Sequence, residues 1–67
     1  MKGTVISYNI ENQIGYIKGY DDDVYIFRGR DVKENIELKE GDTVDFDFTI
    51  YDMEELPVAE LIRKENI

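Results

Sequence analysis

Alternation of apolar and polar residues is clearest in residues 43–51. Every second residue is apolar, namely Val44, Phe46, Phe48 and Ile50. The residues between them are polar, namely Asp45, Asp47 and Thr49. Successive side chains of a β-strand point to opposite faces, so the pattern predicts a strand with one buried and one solvated face. It places Phe46 and Phe48 in the core.

Four further segments rich in apolar residues are predicted to be strands. The five predicted strands cover residues 2–10, 13–20, 24–28, 43–51 and 58–63. The charged stretch 31–40 has few apolar anchors and is predicted to form a helical turn and a loop. Five short strands in 67 residues predict one all-β domain, a five-stranded antiparallel OB-fold β-barrel, because closure removes most exposed sheet edges.

The second and third predicted strands are joined by residues 19–23 alone, which favours an antiparallel hairpin. The residues expected to face inward are Gly15, Ile17, Val24 and Ile26. Those expected to share the outward face are Ile14, Tyr16, Lys18, Tyr25 and Phe27. A slip of one residue would turn every side chain to the other face. Aromatic rings on a sheet with cations at the margin suit the stacking of unpaired bases, so the hairpin is a predicted platform for single-stranded nucleic acid.

The order and spacing of several segments resemble the cold-shock domain family. The family's Gly-x-Val-x-Trp-Phe-Asn, Lys-Gly-Phe-Gly-Phe-Ile and Asp-Val-Phe-Val-His-Phe correspond to residues 3–9, 12–17 and 23–28. Its Leu-x-x-Gly turn, fourth strand and Pro-x-Ala fifth strand correspond to residues 38–41, 44–46 and 57–59. The resemblance covers the whole chain. It implies a barrel that binds single-stranded RNA or DNA and acts as an RNA chaperone or as a regulator of transcription or translation.

Four ligand-facing positions depart from the family pattern. Ser7 stands where the family has Trp, and Asn12 stands where it has Lys. Ile14 and Arg28 both stand where it has Phe. Since base stacking on an aromatic ring is worth about 1–3 kcal/mol per base, the loss of rings predicts weak binding, micromolar or poorer.

The full predicted binding set comprises Tyr8, Ile14, Tyr16, Lys18, Tyr25, Phe27, Arg28 and Arg30. Lys18, Arg28 and Arg30 are expected to meet phosphates, although surface cations commonly pair with nearby carboxylates instead. The aromatic residues also have an alternative, because such rings often pack in a core. For Tyr8 both alternatives stay open.

Charge is the main objection to nucleic-acid binding. The chain has 8 basic and 16 acidic side chains, and its formal net charge of −8 repels phosphate at long range. Residues 1–30 contain four of each sign and sum to zero, whereas residues 31–67 contain four basic and twelve acidic residues and sum to −8. The excess therefore lies outside the predicted platform. The alternative function is a barrel with an eroded nucleic-acid face that binds a protein partner through its acidic C-terminal half.

Other function classes find little support in the composition. The chain has no Cys and no His, so it lacks the usual general base, thiol nucleophile and zinc ligands, and we expect neither an enzyme nor a bound cofactor or metal. The acidic run 21–23 lacks the further oxygen ligands of a calcium loop and is interpreted as a solvated turn. No long apolar run predicts a signal peptide or a membrane span, so a cytoplasmic location is the default expectation. The sequence leaves the oligomeric state open.

Overall fold

Five strands form a closed barrel in the computed structural model, which describes residues 1–33 and 37–65. They are β1 (Lys2–Asn9), β2 (Ile14–Gly19), β3 (Val24–Arg28), β4 (Thr43–Thr49) and β5 (Val58–Lys64). All five predicted strands are confirmed, with ends that differ from the prediction by at most two residues.

Helical structure in the described ranges is limited to the 3-10 turn Gly29–Asp31, directly after β3. The predicted helical turn of residues 31–40 falls partly on residues 34–36, which lie outside the described residues. No helix within the described part of the chain is long and apolar enough to cross a membrane.

The strand order around the barrel is β1-β2-β3-β5-β4, and β4 pairs with β1 to close it. This confirms the predicted OB-type barrel. One strand pair differs from the antiparallel prediction, because β3 and β5 run parallel through the Ile26 and Val58 pair. A single parallel bridge between Val32 and Ile62 continues this contact beyond β3.

The core lies inside the barrel and draws apolar side chains from all five strands and from the segment before β4. Its buried members are Val5, Ile17, Tyr25, Phe27, Leu38, Val44, Phe46, Ala59 and Ile62. Phe46 is fully buried, as predicted. The prediction for Phe48 is wrong, since this side chain is 44% exposed. Phe48 lies near the end of β4, where its ring makes a T-shaped contact with the Tyr25 ring, with centroids 5.3 Å apart.

The predicted orientation of β3 is also wrong. Tyr25 and Phe27 point into the barrel and are 2% and 0% exposed, whereas Val24, Ile26 and Arg28 lie on the outer side. The inward direction of Gly15 and Ile17 on β2 is confirmed.

The reason for this orientation is the pairing of β3 with β2. Phe27 pairs with Gly15, and Tyr25 pairs with Ile17. A Cβ atom on Gly15 would lie only 2.4 Å from the Phe27 ring, so the ring fills the space that the glycine leaves. Tyr8 stacks on Phe27, with centroids 5.4 Å apart and ring planes inclined by 18°.

Two bulges bend the strands around the barrel. Ile6 has no partner in β2, because Val5 pairs with Ile17 and Ser7 pairs with Tyr16. In β5 the extra residue is Leu61, which takes a left-handed backbone with φ of 52°. The first bulge turns Ser7 to the outer face, beside Tyr16.

Candidate nucleic-acid interface

The outer face of β1, β2 and β3 forms one continuous surface, termed the platform. Cross-strand pairing arranges its side chains in three rows. They are Asn9, Ile14 and Arg28; Ser7, Tyr16 and Ile26; and Thr4, Lys18 and Val24. Side chains paired across a sheet stand close enough to touch the same ligand. The rows therefore present apolar groups at the centre and one cation on each side.

Tyr16 is the central residue of the platform. Its side chain is 37% exposed, which leaves part of the ring open to a ligand. Two shallow grooves meet at this ring. One is lined by residues 7–12 with Ile14, and the other by Ile26 and residues 53–56 of the segment between β4 and β5. The apolar surface therefore extends beyond the strands on both sides of Tyr16.

The predicted site residues fall into three groups. The structure brings Ile14, Tyr16, Lys18 and Arg28 together on the platform. Tyr25 and Phe27 belong to the core and present no ring to a ligand. The two remaining predicted residues, Tyr8 and Arg30, each line a groove next to the platform.

Tyr8 is half-buried, and its ring packs on the core while its side chain still lines the groove beside Ile14. Arg30 lies in the 3-10 turn and lines a groove with Arg28 and Glu54. It therefore lies beside the platform at its Arg28 end.

The sequence pattern predicted the wrong face for Ile26 and gave no sign that the β4–β5 segment borders the platform. Ile26 pairs directly with Tyr16 and adds apolar area to the central row. Met53 and Leu56 line the groove above it. Gly15 was the available signal. An inward glycine leaves space that a large inward side chain on the paired strand can fill, and if Phe27 fills it, Ile26 must point outward. No periodic pattern marks Met53 or Leu56.

Both platform cations have a carboxylate nearby. Lys18 Nζ lies 3.9 Å from Asp22 Oδ1, and Arg28 Nη2 lies 3.7 Å from Glu54 Oε1. Ion pairs this exposed are worth about 0–1 kcal/mol, since water screens them and the side chains lose freedom. A ligand phosphate can therefore replace either carboxylate at low cost.

The β2–β3 turn is closed by Asp21. Its Oδ2 accepts a hydrogen bond of 2.6 Å from the Tyr25 hydroxyl, and its Oδ1 accepts one of 3.1 Å from the Asp23 N–H. Burial and the contact with Asp21 raise the pKa of Tyr25 to about 12, and the hydrogen bond from Tyr25 lowers the pKa of Asp21. Among residues 1–33 and 37–65, no group of three acidic side chains is placed to hold a metal ion.

A second polar cluster joins Thr49 of β4, Tyr51 just after β4, and Glu60 of β5. Glu60 accepts hydrogen bonds from the Thr49 hydroxyl at 2.6 Å and from the Tyr51 hydroxyl at 2.8 Å. These bonds lower the pKa of Glu60. The hydroxyl groups are thereby engaged within the protein, so the cluster stabilises the sheet.

The chain matches no protein-family model, and no curated protein matches it at significant similarity. The fold defines a small barrel of the OB type.

Proposed function

We propose that this barrel binds single-stranded nucleic acid, RNA or DNA, across the platform. The observation that best supports this proposal is the position of Tyr16 between Lys18 and Arg28, which lie in the rows on either side of it. Residues two apart on a strand are separated by roughly 7 Å, so a base on Tyr16 would leave its flanking phosphates near a cation. The resemblance of the strand motifs to cold-shock domains supports the same proposal.

The binding is expected to be weak. One ring contributes about 1–3 kcal/mol by stacking, and a dissociation constant of about 1 μM corresponds to roughly 8 kcal/mol. Ile14 and Ile26 add apolar contact but no ring. A platform with a single exposed aromatic residue therefore suits transient binding, as in an RNA chaperone or a regulator of transcription or translation.

A second candidate function is the binding of a basic protein segment on the same barrel. The burial of Tyr25 and Phe27 leaves a mainly aliphatic platform, bordered by Met53, which is 95% exposed. Glu54 and Glu55 line the same groove. An apolar surface with acidic margins complements a segment that carries apolar anchors between Lys or Arg residues.

The test compares Tyr16→Ala with Tyr20→Ala. Tyr20 is a matched control, since it is 67% exposed in the β2–β3 turn and lies outside the platform. Binding of labelled oligo-dT and oligo-U is measured by fluorescence anisotropy at low and physiological salt. We expect Tyr16→Ala to weaken binding by about fivefold or more, because one stacked base is lost, and Tyr20→Ala to bind like the parent protein.

Three results would contradict the proposal. The first is an equal loss of affinity in both variants. The second is saturable binding of a labelled peptide of alternating Lys and Leu with no saturable binding of either oligonucleotide, which would favour the second candidate. The third is a set of chemical shift changes with oligo-dT that cluster on Asp45, Asp47 and Asp52, which would place the site elsewhere.

A further inference from the structure

The contact between Arg28 and Glu54 joins the platform to the segment between β4 and β5. Arg28 is the cation of one outer row, and Glu54 Oε1 lies 3.7 Å from its Nη2 atom. Both side chains are partly exposed, so the pair is accessible to a ligand. The same segment lines the groove above Tyr16 and Ile26.

Glu54 offers Arg28 the same kind of group that a nucleic acid would offer. The guanidinium donates hydrogen bonds to the oxygens of carboxylates and phosphates alike. A phosphate that reaches Arg28 must displace the Glu54 carboxylate or share the guanidinium with it. In either arrangement the phosphate lies near a negative charge, and Glu55 lines the same groove.

We propose that Glu54 sets the affinity of the platform for nucleic acid by competing with a backbone phosphate for Arg28. This inference rests on the proposed function. It makes Glu54 a residue that holds binding weak and reversible. It also lowers the salt dependence, because a cation already neutralised within the protein contributes less to counterion release when a phosphate binds.

The test compares Glu54→Gln with Glu40→Gln. Both substitutions remove one negative charge, but Glu40 is an exposed turn residue before β4 that lines neither groove at Tyr16. With labelled oligo-dT at low salt, we expect Glu54→Gln to bind about threefold more tightly or better, the size of one exposed ion pair, and Glu40→Gln to change affinity much less. The slope of log K against log salt should steepen by about 0.7 in Glu54→Gln, as for one further phosphate contact on a single strand.

A second comparison uses Arg28→Gln as the background. If Glu54 acts through Arg28, adding Glu54→Gln to Arg28→Gln brings no further gain in affinity. Equal affinities of Glu54→Gln and Glu40→Gln, or a full gain in the Arg28→Gln background, would overturn this inference and leave the proposed function standing. No saturable binding by the parent protein and by Glu54→Gln would overturn the proposed function and the inference with it.

Discussion

A single glycine determines which side chains of β3 reach the core. Gly15 faces inward and pairs with Phe27, whose ring occupies the space where a side chain on residue 15 would stand. Tyr8 then packs on Phe27. Ile26 is turned outward beside Tyr16 as a consequence. The chemistry of the platform therefore depends on a residue that contributes no side chain to it.

The burial of Phe27 leads to a stability prediction. Phe27→Ala should cost about 3–5 kcal/mol, since it opens a cavity between Gly15 and Tyr8. Phe48→Ala should cost much less, because Phe48 is 44% exposed. A domain of this length is typically stable by roughly 3–10 kcal/mol, so Phe27→Ala should bring it close to unfolding. Urea denaturation followed by circular dichroism measures both effects.

Phe46→Ala serves as the reference for a buried ring in this experiment, since Phe46 is fully buried. If Phe27→Ala were as mild as Phe48→Ala, Phe27 would face solvent. That result would agree with the outward direction predicted from the sequence and would contradict the buried position of Phe27 in the structure.

The orientation of β3 could not be obtained from alternation alone. Residues 24–27 are all apolar, so either set of alternate positions is able to form a buried row. The choice is made by the register with β2, a contact between strands. The error for Phe48 has a related cause, because alternation gives the face of a side chain but not the point where the barrel ends.

At the scale of elements, the β2–β3 hairpin is held by its own turn. The hydroxyl of buried Tyr25 reaches Asp21 in the turn, four residues earlier. The contact ties the start of β3 to the turn that precedes it. Deprotonation of Tyr25 would remove the donor and bring two negative charges together.

A pH dependence follows from this contact. The pKa of Tyr25 is raised to about 12 in the folded state, chiefly by burial, whereas the unfolded value is near 10. The folded protein therefore holds this proton more tightly. The resulting stability is present below about pH 10 and is lost as the pH rises towards about 12. Tyr25→Phe should have a lower free energy of unfolding at neutral pH and a smaller loss between about pH 10 and 12.

Denaturant titrations of both proteins at several pH values measure this difference. The pKa values of Lys2 and Tyr51 are also raised, by hydrogen bonds to Glu65 and Glu60, but these residues are present in both proteins. The comparison therefore isolates Tyr25. Parallel pH profiles for the two proteins would show that the Tyr25 hydroxyl has no such effect.

The elements themselves were more predictable than the site that they form. Alternation and turn residues gave all five strands, and closure followed from their number and length. Tyr16, Ile14 and Lys18 were placed correctly because β2 alternates around small Gly15 and Gly19. The groove formed by the β4–β5 segment was not predictable, because loop packing has no repeating pattern in the sequence.

At the scale of the whole molecule, negative charge dominates and reaches the margin of the platform. The net charge of −8 arises from residues 31–67, and Glu54 and Glu55 of this part line a groove at Tyr16, whereas Lys18 and Arg28 lie on the platform. Long-range repulsion should slow the approach of a nucleic acid, while contact at the platform depends on two cations. The balance favours stacking over phosphate contacts as the source of affinity.

The salt dependence of binding should consequently be shallow. Two phosphate contacts on a single strand give a slope of log K against log salt of about −1.4, and pairing of Arg28 with Glu54 should reduce it towards about −0.7. Anisotropy titrations with oligo-dT from about 50 to about 200 mM salt give the slope. A slope steeper than about −3 would mean that more cations than Lys18 and Arg28 meet phosphates.

The parallel contact between β3 and β5 gives the barrel a seam. The two strands are joined by one residue pair, Ile26 with Val58. Two further hydrogen bonds support the contact, from the Ile26 N–H to the Pro57 carbonyl and from the Lys33 N–H to the Ile62 carbonyl. Each antiparallel pair in the barrel has at least three residue pairs. Opening at this seam would separate the fewest paired residues and convert the closed barrel into an open sheet with two free edges. Such edges accept further strands, so closure at the seam protects the barrel from edge-to-edge association.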